Sequence, residues 1–319
     1  MSSRDRQNRL QQPRDRRARP ERQQAVKRVR ILAFGSLALV VAMIATIVFA
    51  SGSQLRGSRS AKGSPSTGSL SASNQPGNAS VPILVYHVIN VPPPQSEASP
   101  ELYVSADEFS SQMVALKDGG WHAVTLDQLE AYWTRGVPLG PGKPFVITFD
   151  GGYESQYTNA LPVLERLAWV GVEDLPASGL SPTQGGLTDA QVRAMIAAGW
   201  ELDTEGMTDA DLVAAGSDEL PYEVVTARRL LRSRYDVPVN WFSYPSGDYD
   251  AVVIDAVRSA GFVGSTTTIS GWASPQQDRF RLPRLQVLAA ISPSQLLSQI
   301  ASAQASTAIP SAHSGAESP

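Results

Sequence analysis

Acidic and basic side chains of the kinds that move protons or hold cations follow several short apolar runs of this 319-residue chain. His87 closes the run ILVYH, Asp150 closes FVITFD, Glu205 and Asp209 stand four residues apart after WELD, Tyr244 heads the turn YPSG, and Arg284 lies in LPR. Histidines and carboxylates of this kind serve as general acids and bases when brought within hydrogen-bond reach of a reacting group. Asp150, Glu205 and Asp209 can also present carboxylate oxygens to one point, a donor set that suits Ca²⁺, Mg²⁺ or Mn²⁺ better than zinc. Arg284 paired with Asp150 would lower the carboxyl pKa, and an unrelated structural pairing would use the same arginine equally well. Tyr244 and Trp272 can stack on sugar rings, although aromatic side chains usually serve the core.

Each of these residues also has a plainer explanation. Thr208-Asp209-Ala210-Asp211 has the form of a helix start, with Thr208 as cap and acidic residues suited to the helix dipole. Glu205 would then face solvent at a strand end, Asp150 would brace a glycine-rich turn, and His87 would be a hydrogen-bonded strand-end histidine. Paired carboxylates such as Asp150 and Glu205 suit a glycosidase if they stand about 5–10 Å apart, but nothing else in the sequence asks for that chemistry.

The elements that must position these side chains alternate. Apolar runs at 83–86, 145–149, 200–202, 241–244 and 264–268 are expected as strands. Between them, 105–117 repeats apolar residues at helical spacing (Phe109, Met113, Leu116) and ends at Gly119-Gly120. Thr188 with Gln191 forms a capping-box signature ahead of Val192, Met195 and Ile196, and 251–260 ends at Gly261. His122 is placed ahead of a helix, beside Trp121. Strands alternating with helices predict an α/β fold with a mainly parallel sheet, whose chemistry gathers at the C-terminal ends of the strands.

The formal charge of −3 hides an asymmetry. Residues 1–30 hold eleven Lys and Arg against three acids, so the rest is acidic, which argues against nucleic acid as the main domain's partner. Residues 31–50 form an uncharged apolar run long enough to span a bilayer of about 30 Å as a helix. The basic flank predicts a single-pass membrane protein with a cytoplasmic N-terminus and its main domain outside the membrane. A cleaved signal peptide is the other reading, and it exports the same domain. Absence of cysteine is compatible with either. The expected organisation is a basic cytoplasmic tail at 1–30, a transmembrane helix at 31–50, a Ser/Gly-rich linker at 51–80, a folded domain at 81–300 and a disordered tail at 301–319.

The strand-end motifs, taken in order, resemble those of the polysaccharide deacetylases (the NodB-homology carbohydrate esterases). PILVYH at 82–87, TFDGGY at 148–153, GWEL at 199–202, DL at 211–212, FSYPSGDYD at 242–250 and LPRLQV at 282–287 follow that family's order and wording. The resemblance implies a distorted (β/α) barrel that removes acetyl groups from N-acetylated cell-wall or exopolysaccharide sugars. In such enzymes one Asp and two His hold a divalent metal, usually zinc, a neighbouring Asp is the base, a His the acid, and amides near the YPxG turn hold the oxyanion. Carried over residue by residue, Asp150 matches the base and His87 is a candidate proton donor. Gly151, Glu205 and Asp209 stand where the three metal ligands belong. The resemblance therefore implies either a membrane-anchored deacetylase with an altered metal, for which Glu205 and Asp209 are the candidate ligands, or an inactive relative that keeps a glycan-binding or partner-binding cleft.

Overall fold

The computed structural model describes residues 75–93 and 99–307. The expected basic tail, the membrane span at 31–50, most of the linker and the end of the chain lie outside the described residues. Among the described residues no helix is long and apolar enough to cross a membrane.

The strands are β1 (Val81–Tyr86), β2 (Trp121–Val124), β3 (Lys143–Asp150), β4 (Val172–Asp174), β5 (Glu201–Asp203), β6 (Trp241–Ser243), β7 (Gly264–Thr266), β8 (Trp272–Ala273) and β9 (Leu285–Gln286). Parallel pairing runs β5-β4-β3-β1-β9, and β6 pairs β7 in parallel. Single parallel bridges, Thr204 to Phe242 and Thr266 to Leu282, join these two sheets and close the circuit. This is a distorted barrel whose strands are parallel except for β8, which runs antiparallel to β1.

Side chains alternate between the two faces of each strand. On β3, Phe145, Ile147 and Phe149 turn outward under the helices, packed with Phe109, Leu164 and Trp169. Val146, Thr148 and Asp150 therefore point into the barrel. Val146 joins Ile83, Val172, Trp241 and Leu282 in an apolar plug. Register then places Asp150, Asp174 and Asp203 side by side on three adjacent strands.

Helices cover the outside: α1 (Ala106–Asp118), α2 (Leu126–Arg135), α3 (Leu161–Leu167), α4 (Asp189–Ala197), α5 (Ala227–Tyr235), α6 (Ala251–Ser259) and α7 (Pro293–Thr307). The Thr188/Gln191 capping box forms as expected, and Ser105 with Glu108 and Thr125 with Gln128 form two more. These close hydrogen bonds that the first helical turn would otherwise leave open.

Several elements differ from expectation. His122 precedes α2 as expected but lies within a strand, β2, its Nε2 2.7 Å from the Leu139 carbonyl oxygen. The helix expected from Thr208 does not form: the Thr208 hydroxyl donates to Glu223, and Asp211 accepts from the amides of Val213 and Ala214 in a local turn. Competition between such side-chain bonds and the helix is common for Thr and Asp. Helix α7 runs to Thr307 and buries Ile300 and Ala303, so ordered structure passes the boundary expected at 300.

Candidate functional site

At the C-terminal ends of the strands lies a cleft of about 310 Å³. All six singled-out residues line it: His87 just after β1, Asp150 ending β3, Glu205 and Asp209 beyond β5, Tyr244 beyond β6, and Arg284 before β9. Trp272 is elsewhere, buried on β8 with its indole N–H donating to the Ile300 carbonyl, and it takes no part in the cleft.

Arg284 is the centre of the constellation. Its side chain is only 1% exposed, and its Nη1 and Nη2 each donate at 2.8 Å to one oxygen of Asp150. The remaining donors go to Thr148 Oγ1 (3.0 Å), Ser243 Oγ (2.9 Å), the Thr267 carbonyl (3.0 Å) and, at 3.4 Å, Asp174. A planar guanidinium presents parallel N–H groups that match a carboxylate, which is why the geometry is two-pronged. Burial by itself would raise the Asp150 pKa, but the charge and hydrogen bonds of Arg284, with help from His87, hold it below the ordinary value.

Asp174 titrates the opposite way. Burial and the neighbouring Asp150 charge raise its pKa well above the carboxylate range, and Arg284 only partly offsets them. One guanidinium serves two carboxylates, and Asp150 takes the two-pronged contact. His87 is pushed below the usual imidazole value, first by burial and also by Arg284, against the pull of Asp150 and Asp209. It is therefore a neutral imidazole at neutral pH.

Glu205 is 6% exposed and lines the cleft without a hydrogen-bonding or ion-pair partner among the described residues. Burial, followed by the charges of Asp150, Asp209 and Asp174, raises its pKa well above the ordinary range. Gly151 adopts φ +94°, and a Cβ there would lie 2.5 Å from the ring of Tyr153, which folds over it. Tyr244 lines the cleft, but its ring is 1% exposed, stacks near Tyr249 and donates its hydroxyl to the Phe280 carbonyl at 3.0 Å. Its side chain is thus committed to packing and offers sugar no free face. In the YPSG turn, the Gly247 amide donates to the Tyr244 carbonyl and the Asp248 amide to that of Pro245, so neither is free for an oxyanion.

Comparison with known proteins supplies the remaining observation. Residues 140–265, which carry Asp150, Glu205, Asp209 and Tyr244, match the family model described as Polysaccharide deacetylase. The chain carries a polysaccharide deacetylase domain. It is 25% identical over 209 residues to the Bacillus subtilis protein YxkH, named for the polysaccharide deacetylases, covering 66% of this chain and 72% of that one. An 80-residue stretch is 32% identical to the poly-β-1,6-N-acetyl-D-glucosamine N-deacetylase of Escherichia coli K12, covering 24% of this chain and 12% of the relative. The fold is similar to that of the Streptococcus pyogenes deacetylase PplD, solved in complex with acetate, with TM-score 0.64 and 24% identity over 70% of this chain and 99% of that one.

Deacetylases of this class generally work with a divalent metal, and the residues of this deacetylase domain fit one poorly. Among the described residues no group of three or more His, Cys, Asp or Glu is arranged to hold an ion. The three carboxylates expected to converge do share the cleft, but Asp150 has both oxygens occupied by Arg284. Tyr153 fills the space a side chain at 151 would need, and burial favours the neutral form of Glu205. That leaves too few free oxygens for Ca²⁺ or Mg²⁺, which take six or more ligands, and a single imidazole in the cleft, His87, where the zinc-dependent relatives use two.

Other residues of the site had no motif to announce them. Gln156 is fully buried in a π turn after β3, where its Nε2 donates to the carbonyls of His87 (2.9 Å) and Asp150 (2.8 Å) and its Oε1 accepts from the Tyr153 amide (2.7 Å). It thereby ties the chain after β1 to the end of β3. Ser243 was readable from strand alternation, since Trp241 and Ser243 share the inward face. Asp174 was not, because β4 has only three residues.

Proposed function

We propose that this chain is a membrane-anchored polysaccharide deacetylase relative whose domain faces the cell exterior and binds N-acetylated cell-wall or exopolysaccharide glycan with little metal-dependent turnover. The observation that carries this reading is the ring of Tyr153 lying over Gly151, where the resemblance calls for a metal-holding carboxylate. Without that carboxylate, and with Glu205 and Asp209 in place of two histidines, no group remains to polarise the amide and its attacking water together. The apolar run at 31–50 and the basic residues before it support the anchor and its orientation.

One observation favours retained hydrolysis. Asp150 is kept ionised in the same cleft as His87, whose neutral imidazole can take up a proton and then deliver it. The two readings separate in one assay. Full-length protein in detergent is incubated with N-acetylglucosamine oligomers and peptidoglycan, with added zinc and with a chelator, and acetate release is measured beside glycan binding. Binding without acetate release is expected. Rapid acetate release that is abolished by the chelator and by Asp150→Asn would overturn the proposal.

A further inference from the structure

The cleft carries an excess of acidic side chains that a neutral N-acetyl sugar does not answer. Arg284 is matched by Asp150 and touches Asp174, and His87 contributes no positive charge. Asp209 is exposed at the rim, while Glu205 lies more than nine-tenths buried and aimed into the same space with no partner among the described residues. A buried carboxyl left without a partner is costly unless a ligand supplies one. The cleft is also lined by Tyr153, whose pKa is raised by burial and then by Glu205, with Asp209 adding to it.

A divalent ion needs many oxygen ligands stripped of water, which this cleft lacks. An alkylammonium needs only about three acceptors at hydrogen-bond distance. The positive charge of an arriving ammonium favours ionisation of Glu205, which with Asp209 then provides carboxylate acceptors, and Tyr153 lines the same cleft with an aromatic hydroxyl. On the reading that this domain binds glycan without turnover, we infer that its cleft selects de-N-acetylated glycan, seating the free ammonium group of a hexosamine between Glu205 and Asp209. The ligand class is then a partly deacetylated, cationic polysaccharide, the product of deacetylases and not their substrate. An N-acetyl group at the same place would bring a neutral methyl and carbonyl there and supply no positive charge to either carboxyl.

The test is calorimetric titration of the full-length protein with chitotetraose and with its fully de-N-acetylated counterpart, in the same buffer at pH 6. The amino tetramer should bind at least about tenfold more tightly, the effect of one charge-assisted contact. Glu205→Gln with Asp209→Asn should abolish that preference while leaving thermal unfolding unchanged. Should the double variant unfold, the wild-type protein still decides: raising the pH until the amine is neutral should weaken only the amino tetramer. Equal binding of the two tetramers, or preference for the acetylated one, overturns this inference and leaves the glycan-binding function standing. Failure of the folded wild-type protein to bind either tetramer removes the underlying function and the inference with it.

Discussion

Arg284 grips both carboxylate oxygens of Asp150 at 2.8 Å from a position that is almost wholly buried. The pair joins the end of β3 to the segment entering β9, so it fastens the barrel mouth as well as fixing the charge of the cleft. Arg284→Met would leave Asp150 ionised and uncompensated inside the protein. Removing one partner of a buried pair costs about 3–5 kcal/mol. Chemical denaturation of Arg284→Met should show a loss of that order, and adding Asp150→Asn should recover part of it. A double variant no more stable than the single one would mean the two groups are not coupled.

Two strands along from Asp150, on β5, sits a second, carboxyl-only pair. Glu201 Oε2 accepts from the Asp127 amide and Asp203 Oδ1 from the amides of Asn240 and Trp241. Their remaining oxygens have no other partner, and we expect a proton shared between them to satisfy both. Burial raises Glu201 to about 7 and raises Asp203 further above its usual range. Because the folded form holds the proton more tightly than the unfolded chain, this stability is complete at low pH. For Glu201 it is lost as pH rises from about 4.5 to about 7. Asp150 and His87 act in the opposite sense, losing stability on acidification, so the comparison must be with a variant. Glu201→Gln supplies a permanent N–H to Asp203, and its melting temperature should fall less than that of wild type between pH 5 and pH 8. Identical pH dependence would exclude the shared proton.

The six candidate positions share one cleft because strands of a parallel sheet deliver their C-terminal ends to one place, and motif order identified those ends. The pairing of Arg284 with Asp150 was one of two open possibilities, since nothing in the local sequence says which carboxylate a buried arginine meets. The helix start at Thr208 failed because its side chain found Glu223, fifteen residues away, a tertiary partner that local pattern cannot reveal. Tyr244 was over-read for a related reason. Strand alternation turns it outward with Phe242, into the helix layer, while the backbone beside it lines the cleft.

Gln156 illustrates what motif reading leaves out. It is a neutral side chain in a π turn, yet it makes three hydrogen bonds that hold His87, Asp150 and Tyr153 in register. Gln156→Leu would strand two buried carbonyls and an amide, costing about 3 kcal/mol or more at 1–3 kcal/mol each. The expected result is a lowered unfolding midpoint together with faster hydrogen exchange at the 150–153 turn. A midpoint within error of wild type would show that the three groups find other partners.

Tyr244 gives a contrasting case, in which a cleft-lining residue should matter to stability alone. Its hydroxyl is spent on the Phe280 carbonyl, and burial raises its pKa to about 12. Tyr244→Phe should lower stability by about 1 kcal/mol, the net worth of one hydrogen bond, and leave glycan binding unchanged. A large change in affinity with little change in stability would restore the tyrosine to the binding surface.

The position of Tyr153 makes the absence of a carboxylate at 151 testable by construction. Gly151→Asp, Glu205→His and Asp209→His together would supply the Asp-His-His donor set of zinc-dependent relatives. An aspartate at 151 must accept a positive φ, at about 1–2 kcal/mol, and its Cβ must displace the Tyr153 ring now 2.5 Å away. Adding Tyr153→Ala removes the second cost and leaves the first. Zinc titration should therefore show that the quadruple variant binds more tightly than the triple one, with wild type showing no stoichiometric site. Equal affinities would acquit Tyr153 as the obstruction. A folded quadruple variant that still took up no zinc would mean that 151, 205 and 209 do not surround one point, and the proposed loss of metal chemistry would need another cause.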